Sequence, residues 1–193
     1  MKDVERWFKD SLKNKVIVEK LKKIRFIVTD VDGCLTDAQI LYTSVGHQGK
    51  FFSVQDGFAI RRVLETGIKI AFLSGRRDGL SEKRASELGI PPELCLVGFC
   101  NGKKEKLGEL IKITGFKKEE VAFFGEDFLD LDCFEMVGLA VSPANALFYV
   151  AAYADLIVPV RGGENSFRSF LDLLLFVQGK HFAQKYIEKV IAE

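Results

Sequence analysis

The sequence predicts an α/β fold, a doubly wound parallel sheet of the Rossmann-like kind. Three observations predict it. Apolar runs of four to seven residues alternate with segments of helical pattern from residue 24 to residue 160. Several of those runs end in carboxylates, a hydroxyl or glycines, the chemistry that parallel sheets gather outside the carboxyl ends of their strands. The chain has 193 residues, 48% of them hydrophobic, which suits one domain with an ample core.

The elements follow in order. Residues 4–21 carry scattered apolar positions (Val4, Trp7, Phe8, Leu12) that suit a short amphipathic helix. Ile24–Asp30 reads as the first strand and ends in an acid. The segment 39–54, QILYTSVGHQGKFFSV, has two apolar-rich arms around Gly46-His47-Gln48-Gly49 and reads as a β-hairpin. A helix over 58–67 stops at Gly67, a strand covers 68–74 and a helix 80–89. Residues 94–98 form a short strand, 103–115 a helix, 121–127 a strand, 129–138 a helix and 139–142 a strand. The pattern closes with a helix over 147–154, a strand over 156–160 and an apolar tail. Forty-one positions separate Gly33 from Ser74, and 28 residues lie between Ser74 and Lys103. The elements already placed there fill both intervals and leave no room for a lid domain.

Composition narrows the function. With 28 Lys+Arg against 27 Asp+Glu, the net charge of +1 argues against a broad nucleic-acid surface. The N-terminus is charged throughout and has no signal-peptide core. The longest stretch without an ionisable acid or base, 136–154, has Pro143 and Asn145 at its centre and reads as strand, turn and helix rather than a membrane span. A soluble cytoplasmic protein is expected. Cys34, Cys95, Cys100 and Cys133 form no CxxC pair and read mostly as buried thiols. The two histidines, His47 and His181, lie in no HExxH or H-x-E context. Carboxylates are therefore expected to do any acid–base work.

Four segments carry the chemistry. TDVDGCLTD (29–37) sets Asp30 and Asp32 two apart, before Gly33, where a strand breaks. Alone it reads as a turn; an EF-hand is excluded because Cys34 and Leu35 stand where an oxygen ligand and a glycine are needed. LSGRR places Ser74 and Gly75 at a strand end, where a hydroxyl and backbone N–H groups can face an anion or cap a helix. CNGKKEK places Lys103 and Lys106 near a helix start; it is one residue short of a P-loop and lacks the Ser/Thr after the lysine. GEDFLDLD clusters Glu126, Asp127 and Asp130, acids that repel unless a cation such as Mg²⁺ holds them.

In this order, each after a strand, the four segments resemble the haloacid dehalogenase superfamily of phosphohydrolases over residues 24–177. TDVDGCLTD, the hairpin, VQDGFAIRRVLETGI, LSGRR, KRASELGI, GEDFLDLDCFEMVGLAVSPANA and GGENSFRSFLDLLLFVQGK together resemble the 3-deoxy-D-manno-octulosonate 8-phosphate phosphatase family. The resemblance implies a capless, tetrameric, Mg²⁺-dependent sugar-acid phosphatase. It implies Asp30 as nucleophile, Asp32 as acid/base, and Ser74 and Lys103 on the phosphoryl group, with Lys106 as second choice. It implies a metal held by Asp30, the Asp32 carbonyl and Glu126, and a substrate bound by Gly75, Arg76, Arg84 and Arg168. The chain then divides into an N-terminal helical extension (1–23), a phosphatase domain (24–179) and a C-terminal helical tail (180–193), with assembly through the 39–54 hairpin. The partners expected are a small phosphorylated sugar acid and copies of the same chain, with neither nucleic acid nor membrane.

This chain has Glu126 where the family has Asp, Ala38 where it has Gly in TDG, and Gln55 where it often has Arg. Glu126 and Gln55 motivate a second reading, a catalytically weakened relative that binds or assembles. A phosphoacceptor signalling domain is a third; it needs an acceptor Asp at the end of the third strand, and LCLVGFC offers none.

Overall fold

A computed structural model describes residues 2–46 and 48–192, without the side chain of Lys2. The chain opens with helices α1 (Lys2–Lys13) and α2 (Lys15–Lys23), strand β1 (Phe26–Thr29) and a hairpin of β2 (Leu41–Tyr42) and β3 (Gln48–Gly49). It continues through α3 (Val54–Glu65), β4 (Lys69–Ser74), α4 (Leu80–Leu88), β5 (Cys95–Val97), α5 (Lys103–Thr114) and β6 (Val121–Phe124). It closes with α6 (Leu131–Phe134), β7 (Leu139–Pro143), α7 (Phe148–Ala151), β8 (Leu156–Val158), α8 (Ser166–Val177) and α9 (Gln184–Ala192).

Six strands pair in parallel in the order β5-β4-β1-β6-β7-β8. The order reverses at β1, because the chain winds outward through β4 and β5 and then returns to β6 on its other side. The loops leaving β1 and β6 therefore diverge, and the crevice between them is where such sheets bind ligands. Every residue of β1 and β6 is buried, as their unbroken Phe-Ile-Val-Thr and Val-Ala-Phe-Phe runs require.

Helices flank both faces. α3 packs on β4 and on α8, which also meets α1 and α2; α5 packs on β4 and α6. α8 is the most deeply placed helix, burying Phe167, Phe170, Leu171, Leu173, Leu174 and Leu175. The ring of Phe124 in β6 meets Phe167 at 5.2 Å and Phe170 at 5.8 Å between centroids. Each such aromatic contributes about 1.5–3 kcal/mol of burial, so this cluster fixes the end of β6, where the acidic segment begins. Phe8, Ile17 and Leu21 bring α1 and α2 into the same core.

Local chemistry shifts several expected boundaries. The N-terminal helix is two helices, because the Asn14 side chain accepts from the N–H groups of Val16 and Ile17 at 3.1 and 3.3 Å and starts α2 afresh. α3 begins four residues before the expected 58, since Ser53 Oγ caps the N–H groups of Gln55 and Asp56. The helix expected over 129–138 contracts to α6, because Asp127 and Asp130 cap a 3₁₀ turn at Phe128–Asp130. The hairpin turns at Thr43–Gly46, closed by Gly46 N–H to Thr43 O at 2.9 Å, so Gln48 and Gly49 lie in a strand rather than in the turn. His47 lies outside the described residues. Cys34 and Cys133 are buried, Cys95 is half-buried and Cys100 is exposed. No described helix is long and apolar enough to cross a membrane.

Candidate active site

The loop after β1 carries Asp30 and Asp32. Asp30 N–H still bonds Phe124 O of β6, at 2.9 Å, so its carboxyl leaves from the last paired position of the sheet. The chain then turns sharply, with the N–H groups of Cys34, Leu35 and Thr36 converging on Val31 O. Gly33 makes this turn possible in two ways. Its φ of +88° suits only glycine, and a Cβ there would overlap Oε1 of Glu126. Asn145 Nδ2 donates to Gly33 O at 2.9 Å, and Gly162 N–H donates to Asn145 Oδ1 at 2.6 Å. The loop is thus clamped from the far side of the sheet.

Lys103, the first residue of α5, runs inward. Its Nζ lies 3.1 Å from Asp30 Oδ1 and 2.7 Å from Asp130 Oδ1, and its side chain is 4% exposed. Lys106 pairs instead with Glu109 on the surface. Asp130 is fully buried and its other oxygen accepts the N–H groups of Glu126 and Asp127 at 2.9 and 3.1 Å. Gly125 admits this arrangement, because a Cβ would sit 2.7 Å from the Asp130 carboxyl. Asp30, Glu126 and Asp130 each bring an oxygen within 4.8 Å of the others.

The electrostatics show what this cluster suits. Burial pushes the Asp30 pKa up to about 7; Lys103 opposes the shift and Asp130 adds to it. Glu126 rises to about 9, through burial first and then the charges of Asp30 and Asp130. Burial lowers the Lys103 pKa, but Asp30 and Asp130 together outweigh it and raise it. One ammonium does not neutralise three acids. A hard divalent cation would, and hard oxygen donors are its preferred ligands. Glu126, one methylene longer than Asp, folds back so that Cys34 Sγ lies 3.3 Å from Oε2, yet it stays within the cluster.

Ser74 ends β4, buried, with its carbonyl held by the N–H groups of Gly98 and Phe99 and its Oγ accepting from Arg76 N–H at 3.3 Å. Gly75 packs against Cys100, whose Sγ bonds its carbonyl. Arg76 Nε lies 3.8 Å from Asp32 Oδ2. The other two arginines have partners elsewhere. Arg84 donates to Ser53 O at 3.2 Å and lies over the Phe52 ring. Arg168 bonds Asp172 at 2.6 Å between the rings of Phe58 and Phe182. Neither reaches ion-pair distance of the Asp30, Asp32, Glu126 or Asp130 carboxylates among the described residues. A cavity of about 370 Å³ opens beside Glu126, walled also by Asp127, Asn145 and Arg161.

Sequence reasoning named Asp130 without giving it a role, and passed over Lys50, Asp78 and Arg161. Lys50 Nζ lies 2.7 Å from Asp32 and 2.5 Å from Asp78. Nothing local marks it, since one lysine after a hairpin strand is ordinary and its partners stand 18 and 28 positions away.

The chain is 37% identical to 3-deoxy-D-manno-octulosonate 8-phosphate phosphatase KdsC of Haemophilus influenzae over 84% of its own length and 88% of that protein's. It is 35% identical to the protein of the same name from Escherichia coli K12, over 85% and 86%. The chain belongs to the 3-deoxy-D-manno-octulosonate 8-phosphate phosphatase family. Solved structures of the family agree with its fold. The Yersinia pestis phosphatase superposes with a TM-score of 0.83 at 32% identity, covering 86% of this chain and 88% of that one. The cobalt-bound H. influenzae enzyme gives 0.81 at 35%, covering 88% and 99%. The Moraxella catarrhalis enzyme, in complex with magnesium, phosphate and KDO, gives 0.81 at 30%, covering 92% and 98%. No protein-family model matches the chain.

Proposed function

We propose that this chain is a Mg²⁺-dependent phosphomonoesterase for a phosphorylated sugar acid, 3-deoxy-D-manno-octulosonate 8-phosphate or a related nonulosonate phosphate. The observation that carries this reading is the buried Lys103 ammonium set between Asp30 and Asp130, beside Glu126, at the sheet's switch point. Asp30 attacks phosphorus, the bond to the leaving oxygen breaks, and an aspartyl-phosphate forms. Asp32 gives its proton to the leaving alkoxide. It then takes a proton from the water that attacks the aspartyl-phosphate, releasing phosphate and restoring Asp30. A carboxylate nucleophile divides one hard displacement into two easier ones. Lys103, Ser74 and the Gly75 backbone bind the phosphoryl oxygens. Asp30, the Asp32 main-chain carbonyl and Glu126 would hold Mg²⁺, which supplies positive charge where an anionic phosphate meets an anionic nucleophile.

The substrate carboxylate calls for a cation at the site mouth. Of the three arginines, Arg76 stands nearest to Asp32 and is half exposed, so it is the first candidate. Arg84 and Arg168 would serve only after leaving their present partners. Residues 24–179 form the catalytic unit, with 1–23 and 180–193 as helical extensions, and the protein works in the cytoplasm. Leu41, Tyr42, Val45 and Phe51 of the hairpin region are all more than half exposed, and a homotetramer would cover them. Light scattering at micromolar concentration should give a tetramer; a monomer contradicts this assembly.

The deciding assay compares matched phosphorylated sugars with and without a carboxylate, with Mg²⁺ and with EDTA. Mg²⁺-dependent turnover that favours the sugar acid about 10–100-fold is expected, the scale of one lost charge-assisted pair. Equal turnover of neutral sugars removes the sugar-acid part. No turnover with Mg²⁺ leaves the weakened relative as the better reading.

A further inference from the structure

The Asp32 carboxylate is held by a chain of contacts that begins at a helix terminus and passes through the hairpin. Asp78 is anchored first, its Oδ1 accepting the N–H groups of Leu80 and Ser81 at 3.0 and 3.4 Å at the start of α4. Its Oδ2 meets Lys50 Nζ at 2.5 Å. Lys50 immediately follows β3, and its side chain is 1% exposed. The same Nζ lies 2.7 Å from Oδ1 and 2.9 Å from Oδ2 of Asp32, and 3.5 Å from Ser81 Oγ. The ammonium donates to Asp32 Oδ2 and Ser81 Oγ, and meets Asp32 Oδ1 and Asp78 Oδ2 at ion-pair distance. Asp32 Oδ1 and Asp78 Oδ2 are both sealed from solvent, and the Lys50 ammonium is what each meets.

A lysine whose only task was to tie the hairpin down could do so through Asp78 alone. The contact with both oxygens of Asp32 is a separate feature. It fixes the plane of that carboxylate, while the side chain, 25% exposed, keeps an opening toward solvent and substrate. This is the arrangement by which a third group orients an acid/base.

We propose that Lys50 is a positioning residue for Asp32, aiming its carboxyl at the leaving oxygen, with Asp78 orienting Lys50 in turn. The inference rests on the reading of Asp32 as acid/base. It also ties the acid/base to the hairpin, so that the arm expected to carry assembly also sets the geometry of proton delivery.

The test compares leaving groups in the full-length protein with Mg²⁺. An alkyl phosphate, such as a sugar phosphate, needs its leaving oxygen protonated; p-nitrophenyl phosphate does not. Lys50→Met should lower kcat for the alkyl substrate about 10²-fold, the scale of general acid catalysis. Its loss on p-nitrophenyl phosphate should be at least ten times smaller, with KM for either changing less than kcat. Asp78→Asn, which retains the lysine and the α4 cap, should show the same bias at about one-tenth the size. An equal loss on both substrates, or no loss on the alkyl one, overturns the proposal and leaves Lys50 a structural tie. Asp32→Asn run beside them separates the two levels. If Asp32→Asn shows the leaving-group bias and Lys50→Met does not, only the role of Lys50 falls. If Asp32→Asn lacks the bias, the acid/base reading falls and takes this one with it.

Discussion

Replacing Lys103 by methionine isolates the charge at the centre of the cluster, because methionine keeps much of the stem and removes the ammonium. The ammonium lies 3.1 Å from Asp30 and 2.7 Å from Asp130. At an effective dielectric constant of about 20, each contact has a Coulomb energy of about 5–6 kcal/mol, and desolvation of the buried ion offsets much of it. Breaking one side of a buried pair typically costs about 3–5 kcal/mol, since the abandoned charge stays buried. We expect that loss in urea unfolding at pH 8 with EDTA. At pH 5.5 the loss should shrink, because the Asp30 and Glu126 pKa values, about 7 and about 9, already favour the protonated acids there, and losing Lys103 raises the Asp30 value further. Mg²⁺ at pH 8 should restore part of the difference, and kcat should fall at least about 10²-fold. Lys106→Met, which breaks only a surface pair with Glu109, should change stability by less than about 0.5 kcal/mol. A loss at Lys103 below about 1 kcal/mol, or one equal at both pH values, refutes the reasoning.

Three further outcomes follow from other parts of the fold. Burial raises the Asp56 pKa to about 6 from 3.8, with the Arg168 backbone N–H opposing, so its contribution to stability is full below about pH 4 and is lost as pH rises toward 6. Asp56→Asn keeps an acceptor for that N–H, and by urea midpoint it should be more stable than the parent at pH 7.5 by on the order of 2–3 kcal/mol, a gain that vanishes near pH 4; parity at pH 7.5 counts against the argument. Ala38 has a φ of +64°, so Ala38→Gly should stabilise by about 0.5–1 kcal/mol, opposite to the usual effect of glycine in a loop; a loss of melting temperature would contradict the strain. A Cβ at Gly162 would overlap the carbonyl oxygen of Gly33, so Gly162→Ala should cost about 1–3 kcal/mol and disturb the Asp30–Asp32 loop; unchanged unfolding and turnover would show that the clamp is not needed.

Sequence by itself determined the sheet, the helices that cross it and the strand ends where chemistry gathers. Those features are written in local pattern: an unbroken apolar run such as Val121–Phe124 has to be buried on both faces, and a Gly after a periodic segment stops a helix. Asp30, Ser74 and Lys103 each stand at the edge of an element that its neighbours specify, but local pattern alone allowed a turn, a cap and a solvated lysine, and it was the family resemblance that singled them out. Helix starts were less legible, because Asn14, Ser53 and Asp127 could each have capped a helix or turned a loop, and only the packing chose. The tertiary structure alone decided the partnerships. It turned Lys103, which the resemblance had ranked ahead of Lys106, into the cluster, and Lys106 out to Glu109. It set Arg84 and Arg168 on internal partners, and brought Lys50 to Asp32 and Asp78. It also placed Ala38 in a left-handed turn that its sequence neighbours do not announce. An ion pair's strength and an acid's pKa depend on through-space distance and on how much water is excluded. Neither quantity exists along the chain until distant segments have packed together.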